Sequence, residues 1–551
     1  MDTEAGMRLA ENLQALAMVD PSLAAEVRSC APDPSLKFVT ARNGSVVPAV
    51  HDGARLTPLH SLYDPGRESR RQHESSERAG CMVFLGLGAG FQVTAALERP
   101  EVCSVLVVER SIETYRALME RLPLTAVLAD PRVRLLAGTS GVRAAVLASW
   151  QPALMGGLRS VPLAPWCARH TSFFAAAARE TQAAVEAVRA DYGVQAHFGK
   201  RWFSNMLRNM EAAEKQGREV PRRSRACVTA AGPSLEAQLG QLAAARDGGI
   251  LLASDTSLPA LLQAGMPPDA VLSIDCQNHG YHHFLKGLPE TTTLFLDLAS
   301  PPFLARLTKR TFFVASGHPF AAYLGARWME LPGIDMSGGN VTHAAMSLAR
   351  GLGAREITLF GADFSYPGGR SYCRGTYLHD LFHSRQGRLS PAESSFFSFL
   401  FRDPMTTRER LPEGTRYTTP VLRGYRDRLL ELMGSLDADC TAAPGEGLPL
   451  DHERPASRKA AVPLHWFPPR CGWREFLRGF ADELRSLPPL EITRWAAMSS
   501  LRPEQRELWN VLLPVAARVE MEYANRQKMV PALEEAREWA IRSVERVLTP
   551  R

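Results

Sequence analysis

At 551 residues the chain is too long for one hydrophobic core, and roughly two to four domains are expected. Hydrophobic residues make up 45% and charged residues 22%, which excludes a disordered or fibrous chain and suits an ordinary globular one. The net charge of +6, from 64 basic and 58 acidic residues, is too dilute to mark a nucleic-acid surface, although it fits an acidic ligand.

The first twenty residues, MDTEAGMRLAENLQALAMVD, are acidic and amphipathic and lack the basic start and apolar core of an export signal. No apolar run approaches the length of a membrane span, and the nine cysteines include no CxxC pair. The expectation is a cytoplasmic protein with reduced, mostly buried thiols, no membrane span and no nucleic-acid partner.

A short helix opens the chain, followed by strand and turn sequence up to about residue 58. The segment LHSLYDPGRESRRQ (59–72) reads as a lid or connector, with Asp64-Pro65-Gly66 as a turn. Next comes CMVFLGLGAGFQVTAALE, a strand, glycine turn and helix, and then SVLVVERSIETYRALME, a strand with an acidic end and another helix. Gly86, Gly88 and Gly90 with Glu109 have the spacing of a dinucleotide or S-adenosylmethionine site. The plainer reading, a tight turn in a Rossmann-like unit without ligand, is preferred because the motif is short. Residues 143–225 read as an Ala-rich helical connector, with Trp202, Phe203, Met206 and Met210 as packing residues.

The stretch 226–390 carries the chemistry. ACVTAAGPSLEAQ, LLASDTSL, VLSIDCQNHGYHH, MSGGNVTHAAMSLARG and EITLFGADFSYPGGRSYCRGTYLHDLFHS each place polar residues or glycines near the end of an apolar run or the start of a helix. In a parallel α/β sheet such positions gather at the carboxyl edge, where ligands bind. Gly232, Pro233 and Ser234 open a helix, as do Ser337, Gly338, Gly339 and Asn340, so both are candidate phosphate sites or plain helix caps. Asp255, Asp275, Gln277 and Asn278 follow strands, where a nucleoside would be read or a divalent ion held. The histidines at 279, 282 and 283 form a poor metal signal, and at least two of them are expected to be solvated. Past Asp363, Tyr366 and Tyr372 are candidate donors to a leaving phosphate, and His379 or His383 a candidate base. Arg370 and Arg374 are candidate grips for a carboxylate or phosphate. A solvated surface loop is the plain alternative for these last residues. Residues 391–551 read first as hairpin and loop sequence with one helix, then as a helical tail from about 472 to 548 that is interrupted by Pro531 and includes EITRWAAMSS.

The order GPSL, SDTSL, SIDCQNH, SGGNVTHAA and LGAREITLFGADFSYPGG resembles the motility-associated-factor proteins, which glycosylate flagellin. LHSLYDPGRES and DYGVQAHFGKRWFSNMLRN look like that family's upstream segments, so the resemblance covers most of the chain. The family's central domain is similar to an archaeal hydroxymethylpterin pyrophosphokinase and to bacterial sialyltransferases that use CMP-activated sugars. Ala231 and Ser254-Asp255 stand where the sialyltransferases have Asn, and two histidines compete for the position of their base.

The resemblance implies an α/β fold with three parts. These are a Rossmann-like amino-terminal domain (1–142), a sialyltransferase-like central domain with a mainly parallel sheet (226–390), and a mostly helical carboxyl-terminal domain (391–551). It implies a metal-independent glycosyltransferase without a resident cofactor. Its donor would be a CMP-activated nonulosonic acid and its acceptor Ser or Thr of flagellin, in support of motility. A pterin pyrophosphokinase using ATP and magnesium, and a non-catalytic flagellin-binding chaperone, are the alternatives.

Overall fold

The structure is a computed structural model that describes residues 3–52, 55–74, 79–412, 414–451, 463–489, 501–522 and 529–549. It divides into two compact units, Met1–Gly199 with Leu487–Glu538 and Lys200–Ser486 with Trp539–Arg551.

The first unit begins with an antiparallel sheet of β1 (Leu36–Thr40), β2 (Val46–Asp52) and β3 (Arg55–Pro58). A parallel sheet follows, in the order β6-β5-β4-β7, from β4 (Cys81–Leu85), β5 (Ser104–Glu109), β6 (Val133–Ala137) and β7 (Leu158–Pro162). CMVFL and SVLVVE lack polar alternation because every residue of both strands is buried, as in a sheet covered on two faces. β7 lies within the stretch read as helical. It is a half-exposed edge strand, LRSVP, without the apolar run that would have marked it. Asp64 makes no turn. Its carboxylate accepts from the Arg67 amide and starts the helix Pro65–Glu74.

The glycine turn after β4 is filled from within. The His60 imidazole lies against Gly88, and its Nε2 accepts from the Ala89 amide at 2.9 Å. Burial lowers the His60 pKa to about 4, so the ring is neutral and this nitrogen keeps its lone pair. Glu109, the carboxylate that a ribose would have needed, accepts from the Leu87 amide at 2.7 Å and Trp166 Nε1 at 2.9 Å, in keeping with the preferred reading of a turn without ligand. The turn is therefore bound by the chain's own side chains. At Gly88 φ is +55°, and an added Cβ would stand 2.3 Å from His60 Nε2. Left-handed strain and overpacking together should make Gly88→Ala cost about 2–4 kcal/mol. Urea unfolding should show this loss, to which contact with Leu163 Cδ2 at 2.8 Å from the added Cβ also contributes. Wild-type stability in Gly88→Ala would refute the packing described.

The second unit holds a seven-stranded parallel sheet in the order β12-β11-β10-β9-β8-β13-β17. Its strands are β8 (Arg225–Thr229), β9 (Ile250–Ser254), β10 (Ala270–Ser273), β11 (Thr293–Asp297), β12 (Thr311–Val314), β13 (Glu356–Phe360) and β17 (Asp439–Ala442). The chain steps outward from β8 to β12, then returns to lay β13 on the other side of β8. Strand order thus reverses between β8 and β13, and the loops leaving their carboxyl ends diverge around a crevice. On one face Val228, Leu252, Leu272, Phe295 and Ile357 pack with Ala345 and Leu348 of the helix Val341–Gly351. Trp466 joins this core and donates to the Phe313 carbonyl at 2.8 Å.

A smaller antiparallel sheet, β14-β16-β15, joins β14 (Tyr366–Pro367) to the hairpin of β15 (Thr407–Leu411) and β16 (Gly414–Thr418). The hairpin and the helix Pro420–Ser435 match the sequence reading of this region. The helix Ala392–Leu400 was not expected, since AESSFFSFL is rich in aromatic and serine residues of modest helix propensity. In the tail, the helix Trp473–Ser486 buries Trp473, Leu477, Phe480, Ala481 and Leu484 at helical spacing. Phe480 stacks on Phe320 and Phe320 on Phe203, while Met206 and Met210 are buried, so the packing role expected for these side chains holds. The rest of the tail forms the helices Pro503–Glu522 and Met529–Leu548, with Pro531 in the first turn of the second, where a missing amide is tolerated. EITRWAAMSS lies outside the described residues. The nine cysteines are all free, six of them buried. No described helix is long and apolar enough to cross a membrane.

Candidate functional site

The two loops at the strand-order reversal are pressed together. The Ala230 amide donates to Phe360 O and the Gly232 amide to Gly361 O, both at 2.8 Å. Gly232 must be glycine here, because a Cβ would stand 2.3 Å from Asp363 Oδ2. That oxygen accepts from the Ser234 amide at 2.9 Å. The anion at the start of the helix Leu235–Ala245 is therefore Asp363 itself, where the sequence suggested a phosphate. Ser234 Oγ accepts from the Glu446 amide, and Leu448 N donates to Asp363 O, so the segment after β17 crosses this turn. Burial pushes the Asp363 carboxyl pKa up, while its bonds from Ser234 pull it back. Phe364, the next residue, has φ +45°, the one positive value outside glycine among the described residues. Strain of that kind persists where surrounding contacts impose it.

Next along the edge, Asp255 at the end of β9 is 5% exposed and fully engaged. Oδ1 accepts from the Thr256 amide at 2.7 Å and Oδ2 from Ser273 Oγ at 2.6 Å. After β10, Asp275 takes the Gln277 amide at 2.9 Å and lies 3.5 Å from His279, with Asn278 exposed. His279 and His282 are exposed, as expected of this histidine group, and the rings of His282 and His283 lie against Tyr377. Among the described residues no three His, Cys, Asp or Glu side chains gather to hold a metal ion.

The SGGN segment starts the helix on the opposite face of the sheet. Asn340 caps that helix through the His343 amide at 3.0 Å, the role its residue type predicts. The Ser337 amide donates to Asp335 at 2.8 Å. Gly338 lies on the His343 ring, and Gly339, at φ +72°, on the Tyr425 ring. His343 Nε2 stands 3.3 Å from Asp335 Oδ2 but off the line of a well-formed hydrogen bond.

Tyr366 and Tyr372 lie near enough to influence each other, and Tyr372 also feels the Asp255 carboxylate. Burial raises the pKa of both hydroxyls, that of Tyr372 to about 12, and each feels the nearby positive charge of Arg402. Both therefore stay protonated and able to donate at neutral pH. His379 and His383 sit on the helix Tyr377–Ser384 with ring centroids 4.4 Å apart. They connect to Tyr372 through the rings of Phe396, Phe382 and Phe399. Burial lowers the His379 pKa, and Asp380 works against that. Arg370 and Arg374, expected to grip a ligand, each lie within 3.6 Å of Glu236.

The structure thus presses the loop of Gly232, Pro233 and Ser234 against that of Asp363, whose continuation carries Tyr366 and Tyr372, with Asp255 at the end of the neighbouring strand β9. Asp275, Gln277 and Asn278 lie along the same edge, and Ser337 to Asn340 on the face of the following helix. Sequence reasoning missed Asn205 and Asn209, one helical turn apart. Their side-chain amides hold the carbonyls of Cys276, Leu298, Ala299 and Ser300 and so fix the loops after β10 and β11. It also missed Gln238, which bonds both the Gly361 amide and the Pro444 carbonyl. The i, i+4 spacing of the two asparagines within an apolar helix was the available signal.

Residues 200–369 match the family model described as 6-hydroxymethylpterin diphosphokinase MptE-like. Two uncharacterized proteins of Treponema pallidum (strain Nichols) are related in sequence. One is 35% identical over 148 residues, 26% of this chain and 52% of its own length. The other is 32% identical over 163 residues, 29% of this chain and 78% of its own. The match thus spans about half the length of the first relative. The Maf glycosyltransferase of Magnetospirillum magneticum AMB-1 has the same fold, with a TM-score of 0.59 over 99% of this chain and 96% of that one, at 14% identity. The chain belongs to the MptE-like-domain proteins and has the overall fold of that Maf glycosyltransferase.

Proposed function

We propose that the chain is a glycosyltransferase that moves a nonulosonic, sialic-acid-like sugar from a CMP-activated donor to Ser or Thr of flagellin. The observation carrying this reading is that Asp363 sits where strand order reverses, with Tyr366 and Tyr372 on the loop that follows it and Asp255 at the end of the neighbouring strand β9. In the reaction the bond from sugar to phosphate breaks, and CMP leaves with its electron pair. The acceptor oxygen forms the new bond, and its proton passes to an imidazole. Tyr366 and Tyr372, held neutral, donate to the departing phosphate. His379, lowered by burial and so uncharged near neutral pH, is suited to take the proton, with His383 beside it. Ser337 to Asn340 offer a glycine-lined helix start for a second anionic group, and Asp275, Gln277 and Asn278 lie where a nucleoside would be read. The family description favours one other reading, a pterin diphosphokinase using ATP and magnesium.

Calorimetry separates the two. Binding of CMP without added metal, with no heat from ATP plus magnesium, is the expected result. The reverse pattern would replace the transferase with the kinase.

A further inference from the structure

Three arginines belong to the tyrosine region, and two of them, Arg370 and Arg374, which flank Tyr372 in sequence, are matched by Glu236. The third is Arg402, just past the helix Ala392–Leu400. Its position follows from its neighbours. Phe399, three residues earlier, has its ring 6.0 Å from that of Tyr372. Phe401, one residue earlier, packs edge-on against Tyr417 at 5.7 Å, and Tyr417 is the register partner of Tyr366. Arg402 is thus framed by the two residues that touch the tyrosine strand and the tyrosine loop. Its guanidinium lies 3.8 Å from the centroid of the Phe399 ring, a stack that fixes the plane of its donor fork before any ligand arrives. No carboxylate forms an ion pair with it among the described residues. An exposed, oriented and unmatched guanidinium next to two hydroxyl donors is a receptor for a pair of anionic oxygens.

We propose that Arg402 is the donor-selecting residue of this site and grips a carboxylate or phosphate of the nucleotide sugar together with Tyr366 and Tyr372. The proposal rests on the transfer reading above and names the residue that makes the site choose an acidic donor.

Calorimetric titration of wild type and Arg402→Gln with CMP and with a CMP-linked nonulosonic acid tests it. Arg402 is exposed, so thermal unfolding of the variant should match wild type. The expected result is about 10- to 100-fold weaker binding, the loss of one charged hydrogen-bonding group. Loss with both ligands assigns the grip to phosphate, and loss with the sugar-linked donor alone assigns it to carboxylate. Arg402→Lys should recover only part of the affinity, because an ammonium lacks the planar fork. Unchanged affinity of Arg402→Gln for both ligands overturns the proposal while leaving the transferase reading standing. A wild type that binds neither ligand removes both.

Discussion

Tyr372→Phe is expected to lower kcat for sugar transfer by about 100- to 1,000-fold, the usual effect of removing one preorganised donor from a developing anion. KM for the donor should rise by less than kcat falls, since a neutral hydroxyl contributes most where charge appears in the transition state. The geometry supports a large effect at this position. Tyr372 is half-buried and feels Asp255 and Tyr366, and its pKa of about 12 keeps the proton on oxygen at any working pH. The carboxylate nearby opposes ionisation, so the phenol acts as a donor and not as a base. Tyr366 belongs to the same pair, so Tyr366→Phe should also lower kcat, and the double variant should lose less than the product of the two single losses. Steady-state rates with a CMP-linked nonulosonic acid provide the measurement. A Tyr372→Phe enzyme with wild-type kcat would remove the tyrosines from the chemistry.

The apolar strands of both parallel sheets were legible because burial on two faces leaves uninterrupted runs such as VLVV and ILLA. So were the turns after β8 and β13, since glycine, proline and aspartate after a strand have few other uses. What those turns hold was not legible. Ser234 suggested a phosphate at a helix start, and only the tertiary pairing of β8 with β13 brings the Asp363 carboxylate to its amide. The same holds for His60, whose sequence neighbours say nothing of a glycine turn 28 residues away. Arg402 was hidden for a different reason. Its function depends on the helix Ala392–Leu400, whose sequence has weak helix propensity and is held by ring contacts with the preceding helix. The edge strand β17, with a half-exposed DCTA, gave no apolar run to read.

Asp297→Asn is expected to stabilise the protein at pH 8 by about 3 kcal/mol and to have no such benefit near pH 4. Asp297 ends β11, is 2% exposed, and accepts from the Ala299 amide through Oδ1 at 2.7 Å. Its Oδ2 and Ser316 Oγ are both buried without a well-formed hydrogen bond, although Ser316 is close enough to favour the charged form. Burial outweighs these bonds and raises the carboxyl pKa to about 6. The sign follows from proton counting. Between about pH 4 and 6 the folded chain holds a proton that the unfolded chain releases, so stability falls as pH rises through that window. Below it both states are protonated and the penalty vanishes. Above it the folded state holds an incompletely paired charge, and the penalty is complete. Asparagine has the same shape, stays neutral, and offers an N–H to Ser316 Oγ in place of the protonated carboxyl. Urea unfolding of wild type and variant at pH 4.5 and pH 8 measures the difference. A gap of equal size at both pH values would show that the carboxyl titrates alike in the folded and unfolded chains, and the buried charge would then carry no cost.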